Sequence, residues 1–305
     1  MNRRRPPEVT IVTPSLNQGR FIRKTIESVL AQDYGALEYL LIDGGSTDET
    51  LEILKQYEGR FFWVSEKDRG QAAAINKGWR KARGKYLGWL NSDDIYLPGA
   101  IAQAVACLEE HPEAGAVYGE GYHIAQDDRR IERYPTEPFD RKRLTETCFI
   151  CQPTVLMRRS VVEEVGLLDE NLHYAMDYDL WFRIAKKYEM FYSKSALACT
   201  RFYPGTKTMG QRAQAHREIL RVVHRHTGSV PPSWVYGYAH AVLERYLDRS
   251  RAIGHILFPA GLILLSAKAF WKFNRRVPLS ECRRWWSWLR GNFQWRILFP
   301  PREKP

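Results

Sequence analysis

The chain has 305 residues, 44% hydrophobic and 27% charged, which suits one large domain or a domain with an appendage and excludes wholesale disorder and fibrous architecture. Forty-six Lys+Arg against 35 Asp+Glu leave a formal charge of +11, compatible with nucleic acid, a membrane surface or an anionic small substrate. Eleven of the cations and only two acids, Glu281 and Glu303, fall between Arg251 and Pro305, so the body is nearly neutral and the tail is basic.

In chain order, Val9-Thr-Ile-Val-Thr-Pro14 is β-branched and ends at a proline, a first strand. Helical spacing of Phe21, Ile22, Ile26, Val29 and Leu30 predicts a helix over Gly19–Ala31. Leu37–Ile42 is a buried strand ending in Asp43-Gly-Gly-Ser-Thr-Asp, where Ser46 or Thr47 is expected to cap a helix over about 48–57. Phe61–Ser65, Gln71–Ala82 and Lys85–Leu90 read as strand, helix and strand, the last running into Asn91-Ser-Asp-Asp94. This alternation predicts an α/β fold, a mostly parallel sheet with helices on both faces.

A helix over about 99–111 should lead to Ala116–Tyr118 and a hairpin about Asp127-Asp128, then a less periodic stretch near 135–150. Helices are expected at Val161–Val165 and Asp177–Lys187, the latter with Leu180, Trp181, Ile184 and Ala185 as an apolar stripe, and residues 208–250 read as amphipathic helix. Ala252 to Ala267 is sixteen uncharged residues broken by Pro259. A spanning helix needs about 20 apolar residues, so a re-entrant or interfacial segment is expected. Trp271, Trp285, Trp286, Trp288 and Trp295 interleave with cations beyond it, the composition of a membrane-associating tail. The alternative is a tail that folds back on the body or on a second subunit.

Five scattered cysteines, Cys107, Cys148, Cys151, Cys199 and Cys282, form no disulfide framework and fit a reducing compartment. Cys148-Phe-Ile-Cys151 lacks a second pair at zinc-finger distance and reads as structural; His224 and His226, two apart on a helix, point to different sides and make no metal pair. The basic N-terminus lacks the apolar stretch of a signal peptide. The expected location is cytoplasmic, peripheral on the inner face of a membrane.

Ligands of an open parallel sheet bind outside the strands' carboxyl ends. Four polar segments fall there: Thr13-Pro-Ser-Leu-Asn17, Asp43-Gly-Gly-Ser-Thr-Asp48, Glu66-Lys-Asp-Arg-Gly-Gln71 and Asn91-Ser-Asp-Asp94. Each alone is an ordinary turn. The adjacent carboxylates of Asp93 and Asp94 repel each other, and a divalent cation bridging them to a pyrophosphate would offset that; hard oxygen ligands without nearby His or Cys point to Mg2+ or Mn2+. A solvated turn is the plainer alternative.

Thr10-Ile-Val-Thr-Pro-Ser-Leu-Asn17, the Asp43 turn, Asp68-Arg-Gly-Gln-Ala-Ala-Ala-Ile-Asn-Lys-Gly78, Trp89-Leu-Asn-Ser-Asp-Asp94, Cys151-Gln-Pro153 and Met176-Asp-Tyr-Asp-Leu180 occur in the order seen in family 2 glycosyltransferases, which the chain resembles over about residues 8–210. The resemblance implies a GT-A fold over 1–210, with a donor-binding half at about 8–115 and an acceptor half at about 116–210; beyond it, periodicity and composition give a helical segment over 211–250 and the tail over 251–305. It further implies a nucleotide-diphosphate sugar donor, a divalent metal and inversion at the anomeric carbon. Thr13, Pro14 and Asp43 match the nucleoside-binding edge, and Arg69 and Gln71 flank the donor phosphates or sugar. Asp94 matches the metal ligand and Asp93 its partner, which in the family contacts ribose or sugar. Asp177 matches the general base, with helix capping as its plainer role; Arg201 and Lys207 could neutralise diphosphate or be solvated charge.

The chain departs from the family pattern at Met176, where many members carry a second acid, at Gly44, where uridine-specific members often have Asp, and at Tyr203, where others have a His that ligates metal. The acceptor, a lipid-linked or polysaccharide hydroxyl, should meet residues 119–150, including Tyr122, His123, Arg129, Arg130 and Arg133. A sugar-nucleotide nucleotidyltransferase is the competing enzyme class, but no early Gly-rich loop followed by a basic residue is present. Binding of nucleic acid is disfavoured by the near-neutral body.

Overall fold

The computed structural model describes residues 6–203, 205–206, 210–247 and 252–290, with backbone alone for 252–256. The chain divides into two compact units, one of residues 1–144 and 148–206 and one of residues 145–147 and 207–305.

In the first unit, β1 (Val9–Ser15) is buried along its whole length, as a β-branched strand flanked on both sides should be. It runs parallel to β2 (Leu37–Asp43) on one side and to β4 (Tyr86–Trp89) on the other, and β2 pairs in parallel with β3 (Phe62–Ser65). Helices α1 (Gly19–Leu30), α2 (Thr50–Lys55) and α3 (Gln71–Lys81) follow β1, β2 and β3. Phe21, Ile22, Ile26 and Val29 bury one stripe of α1, the 3.6-residue period that its sequence carries. Register pairs Ser15 with Asp43 and Asp43 with Ser65. Three strands therefore stop at one level, and the loops after them share an edge.

The rest of this unit comprises β5 (Ile95–Tyr96), α4 (Ala100–Glu110), β6 (Ala114–Ile124), β7 (Arg130–Arg133), α5 (Arg141–Glu146), a 3-10 turn at Gln152–Thr154, β8 (Leu156–Arg158), α6 (Arg159–Val165), α7 (Met176–Ala185) and β9 (Glu189–Arg201); α5 ends across the division between the units. The nine strands lie in the order β3-β2-β1-β4-β8-β6-β9-β5, with β7 on β6. The expectation of a mostly parallel sheet fails beyond β4. Four ladders are antiparallel, β4/β8, β5/β9, β6/β7 and β6/β8, and β6/β9 alone among the later ones is parallel. The tight turn at Asp127-Asp128, with Asp128 at φ 71°, returns the chain as a hairpin, and a connection that short allows only antiparallel pairing.

A second expectation also fails. Neither Ser46 nor Thr47 caps α2; Asp48 does, its carboxylate accepting the N–H of Thr50 at 3.0 Å and of Gly19 at 3.0 Å, so one side chain serves the starts of two helices. Trp89, at the end of β4, is held between Trp181 of α7, stacked at 5.8 Å, and Trp79 of α3, edge-on at 5.4 Å. The loop that follows Trp89 thus starts from a fixed point.

The second unit contains α8 (Arg212–Thr227), α9 (Pro232–Leu243), α10 (Ala252–Asn274) and α11 (Leu279–Leu289). Within the described residues 210–247 of the stretch expected to be amphipathic helix, α8 and α9 are separated by Gly228 at φ 74° and the prolines at 231 and 232. Leu220, Val235, Tyr236, Phe258, Leu262, Phe270, Trp285 and Trp288 form its core. Two tail tryptophans, Trp285 and Trp288, are therefore core residues, whereas Trp271 and Trp286 are exposed; Trp295 lies outside the described residues. Among the described residues no helix is long and apolar enough to cross a membrane.

Candidate functional site

The loops after β1 and β2 are built as one piece. Asp43 is fully buried. Its Oδ2 accepts the N–H groups of Gly45 and Ser46 at 3.0 and 2.9 Å and the Ser65 hydroxyl at 2.6 Å, while Oδ1 accepts the Ser46 hydroxyl at 2.5 Å. Such a carboxylate folds the turn over itself. Asn17, at φ 52°, donates its N–H to Ser46 Oγ at 2.7 Å and accepts the Thr47 N–H at 2.8 Å on its side chain.

This geometry corrects the expected nucleoside contacts. Thr13 and Pro14 are buried, Thr13 Oγ1 accepts the Tyr39 hydroxyl at 3.1 Å, and the Asp43 carboxylate is consumed internally. All three shape the edge from inside. The side chains turned outward are the next ones, Leu16 and Asn17. Ser15 is different again: its hydroxyl is buried at the end of β1 with no hydrogen-bond partner, an uncompensated cost unless something else binds it.

The third and fourth loops meet through amides. Gln71, opening α3, donates to Asn91 Oδ1 at 2.7 Å; Asn91 donates to Asp94 Oδ2 and to Gln152 Oε1, both at 3.1 Å; and Gln152 donates to the Trp89 carbonyl at 3.0 Å. Arg69 is exposed beside Gln71.

Asp93 and Asp94, adjacent in sequence, differ in environment. Asp94 is 2% exposed; its Oδ1 accepts the Arg201 N–H at 2.8 Å, its Oδ2 accepts Asn91, the Thr200 hydroxyl also bonds to it, and Thr25 donates to its carbonyl at 2.8 Å. Burial first, and the Asp93 charge second, push its carboxyl well above the usual range against those hydrogen bonds. Asp93 is only partly buried and lies 3.4 Å from the Tyr203 hydroxyl. Burial and the Asp93 charge push the Tyr203 phenol up to about 12. Tyr203 packs on Phe21 at 5.1 Å.

Arg201 is not available to diphosphate, contrary to expectation. Its side chain is fully buried and donates from Nε to the Asp93 carbonyl at 2.8 Å and from Nη1 to the carbonyls of Ala125 and Gln126 at 2.7 and 3.2 Å. It forms an ion pair with Asp128 at 2.6 Å and lies over the Phe21 ring at 4.7 Å. A guanidinium with its donors spent this way clamps the β6–β7 hairpin to the Asp93 loop. Lys207 lies outside the described residues.

Asp177 is the second residue of α7 and partly exposed; its Oδ1 accepts the Tyr178 N–H at 2.8 Å, while the cap position is Ala175 and makes no side-chain cap bond, so the plainer role of Asp177 is that of an acid in the first turn of a helix. Asp179 is buried and pairs with Arg183 at 2.9 Å, a purely internal role. The Cys148 thiol and Tyr134 phenol are pushed up by burial, and both also feel the Asp177 charge. The Cys151 thiol, raised by burial, feels Asp94 and Cys148. Neither cysteine sits in a metal-like set among the described residues.

Tyr134 also borders a cavity of about 510 Å³, together with Glu120, Arg133, Tyr192 and Lys194. Glu120 is buried and accepts both the Arg133 guanidinium and the Tyr192 hydroxyl. Of the other residues expected to meet an acceptor, Arg130 covers the Tyr122 ring at 3.6 Å, and His123 packs on Tyr134 and Phe202 at 5.2 and 5.1 Å.

Among the described residues no three His, Cys, Asp or Glu converge as a metal cage. The donor set nevertheless fits a hard divalent ion, which takes one or two carboxylates and completes its shell with substrate phosphate and water. The carboxylate pair is such a set.

The sequence profile of glycosyl transferase family 2 matches residues 10–166, more than half of the chain. The chain belongs to glycosyl transferase family 2. This family 2 chain is 28% identical over 211 residues to an uncharacterized glycosyltransferase of Rickettsia prowazekii, a match spanning 66% of each protein. It is 34% identical over 197 residues to an uncharacterized glycosyltransferase of Mycobacterium tuberculosis, spanning 63% of this chain and 70% of that relative. Its fold is similar to that of S. aureus TarS 1-349, crystallised with UDP-GlcNAc, at a TM-score of 0.62 and 15% identity, covering 87% of this chain and 81% of that one. It is similar too to a mannosyltransferase of Pyrobaculum calidifontis in complex with GDP-Man and Mn2+, at a TM-score of 0.60 and 18% identity, covering 97% and 84%. The fold of the family 2 chain is thus GT-A-like, a mixed sheet flanked by helices.

Three residues that the structure brings to the candidate site of the family 2 chain were not singled out from sequence: Ser15, Asn91 and Gln152. All lie inside the quoted motifs, but amides and hydroxyls carry no charge signal, and only the fold shows that they converge.

Proposed function

We propose that the chain transfers a sugar from a nucleotide-diphosphate donor to an acceptor hydroxyl with inversion, on a lipid-linked or polysaccharide acceptor at a membrane surface. The observation that carries the reading is the carboxylate pair at the rim of the sheet, one member buried, the other partly exposed and hydrogen-bonded by Tyr203. The donors bound by the similar folds, UDP-GlcNAc in one and GDP-Man with Mn2+ in the other, support a nucleotide sugar here.

In this reading the nucleotide lies against Leu16, Asn17 and the Ser15 hydroxyl, and Arg69 and Gln71 flank the phosphates or the sugar. Asp93 would hold a divalent ion, Mn2+ or Mg2+, with Asp94 supporting its loop from behind; when bound, such an ion supplies positive charge to the departing diphosphate. Asp94 is thereby moved from the leading ligand to a supporting position, because its oxygens are already taken by Arg201, Asn91 and Thr200.

Asp177 takes the proton from the acceptor hydroxyl as its oxygen forms the new bond to the anomeric carbon. One base and one displacement invert the configuration. The acceptor would approach past Tyr134, which feels the Asp177 charge and borders the cavity of Arg133, Tyr192 and Lys194; tyrosine rings and charged groups suit sugar faces and hydroxyls.

A panel of UDP-, GDP-, CMP- and dTDP-sugars, assayed by thermal stabilisation and by hydrolysis with Mn2+ and with EDTA, tests the reading. One nucleotide sugar should stabilise the protein only when the ion is present. If none does so, the site assignment is wrong.

A further inference from the structure

Helix α10 is apolar on both sides, which a helix buried along one face does not require. Its inner stripe, Phe258, Leu262, Ala269 and Phe270, packs against Tyr236, Trp285 and Trp288 in the core of the second unit. The opposite stripe runs Leu257, Ala260, Leu264, Lys268 and Trp271 at intervals of three or four residues, followed just past the helix end by Arg275, and all six are exposed, Leu264 at 71% and Trp271 at 65%. An outward face should carry polar residues; here its first half is bare hydrocarbon and its second half is indole and cation.

Helix α11 continues the pattern. It buries Trp285 and Trp288 and turns out Leu279, Trp286 and Leu289, with Arg290 lying over the Trp286 ring at 4.8 Å. Charge on this surface has one sign. Among the described residues from Leu257 to Arg290 the only acid is Glu281, and it is buried, bonded to the Tyr236 hydroxyl and paired with Arg284. Lys268, Lys272, Arg275, Arg276 and Arg283 are all exposed.

We infer that the outward face of α10 and α11 docks on an anionic lipid bilayer, with Leu257, Leu264, Trp271, Trp286 and Leu289 entering the headgroup boundary and the cations meeting lipid phosphate. The inference deepens the proposed membrane-surface reading and rests on it. Three features choose lipid over a second copy of the chain. A copy would bring the same uncompensated cations face to face. Exposed indoles flanked by Lys and Arg match the interface between hydrocarbon and headgroups. No described helix is both long and apolar enough to cross, so a helix with an apolar outer face is satisfied by lying in the plane.

The test is sedimentation of the full chain with vesicles of phosphatidylcholine alone and of phosphatidylcholine with about 30% phosphatidylglycerol, a density of anionic lipid on which each basic residue is worth about fivefold in affinity. Binding is expected to the anionic vesicles alone, to weaken with added salt, and to shift Trp fluorescence to the blue. Lys268→Glu with Arg275→Glu should weaken it at least about 25-fold, and Leu264→Ser with Trp271→Ser at least about tenfold. Both pairs should leave the far-ultraviolet circular dichroism unchanged, because all four side chains lie outside the core.

Equal binding to both vesicles, no binding to either, or insensitivity to both substitution pairs overturns the inference. So does self-association in the ultracentrifuge that these substitutions abolish, since a second copy would then own the face. Donor hydrolysis is measured in the same preparations. Vesicle binding without hydrolysis supports the docking face and sinks the transferase reading; hydrolysis without vesicle binding sinks the docking face alone.

Discussion

The backbone N–H of Arg201 donates to the Asp94 carboxylate at 2.8 Å, across 107 positions of sequence. The end of β9 is thereby tied to the loop after β4, and the same arginine's Nε holds the Asp93 carbonyl at 2.8 Å. Buried Asp94 is spent on this union, whereas Asp93 stays partly exposed beside the Tyr203 hydroxyl.

Two substitutions should therefore separate. Asp94→Asn keeps one acceptor oxygen but puts an NH2 donor in place of the other, so either the Arg201 N–H or the Asn91 amide loses its partner, costing about 1–3 kcal/mol and lowering the thermal midpoint by about 2–4 °C per kcal/mol. Asp93→Asn should leave the midpoint of the apoprotein within about a degree and abolish the extra stabilisation that nucleotide sugar provides with Mn2+. Differential scanning fluorimetry with and without both ligands reads the two effects; the reverse pattern would return the leading metal role to Asp94.

Asp177→Asn keeps the size of the side chain and its acceptor toward the Tyr178 N–H but cannot take a proton. Transfer should fall by about 10²–10⁴. Donor affinity by titration calorimetry should stay within about twofold, because the residue meets acceptor and not donor. A variant that transfers at the parent rate would leave Asp177 only as an acid in the first turn of α7.

Glu38 offers a stability effect with a predictable pH window. Burial alone would raise its carboxyl, but the Thr10 hydroxyl at 2.7 Å and the Arg83 N–H and Nε at 2.8 and 2.6 Å hold it below its ordinary 4.5. A depressed carboxyl stabilises the fold above its unfolded value, and the contribution disappears as pH falls through the folded one. Glu38→Gln should cost about 1–2 kcal/mol at neutral pH and progressively less below pH 4.5. Urea unfolding at both ends of that range checks it; a constant penalty would mean that the charge is irrelevant.

Gly121 on β6 leaves room for the buried Cys151. A Cβ there would lie 2.5 Å from the Cys151 sulfur, whereas its next neighbours, at 3.4 and 3.5 Å, are ordinary contacts. Gly121→Ala should cost about 1–3 kcal/mol, and Gly121→Ala with Cys151→Ala should recover part of the loss beyond additivity. A double mutant no better than the sum of the singles would place the strain in the β6–β9 ladder instead.

Local pattern determined much of this molecule. Val9–Pro14, Leu37–Ile42 and Lys85–Leu90 announce strands, the stripe from Phe21 to Leu30 announces α1, and the motifs from Thr10 to Leu180 carry the resemblance that family membership then established. Periodicity is a property of neighbouring residues, so one chain suffices to read it. The basic, Trp-rich composition of the tail was legible for the same reason.

Tertiary structure alone decided the rest. Asp93 and Asp94 look interchangeable until Arg201 arrives from 107 positions away and buries one of them. Arg201 reads as a ligand cation until its donors are seen to be spent on Asp93, Ala125, Gln126 and Asp128. The indoles of Trp285 and Trp286 are consecutive, yet one is core and the other surface, because a helix turns each residue about 100° from the last. A charged or aromatic side chain takes its meaning from the partners that desolvate it, and those partners come from elements distant in sequence.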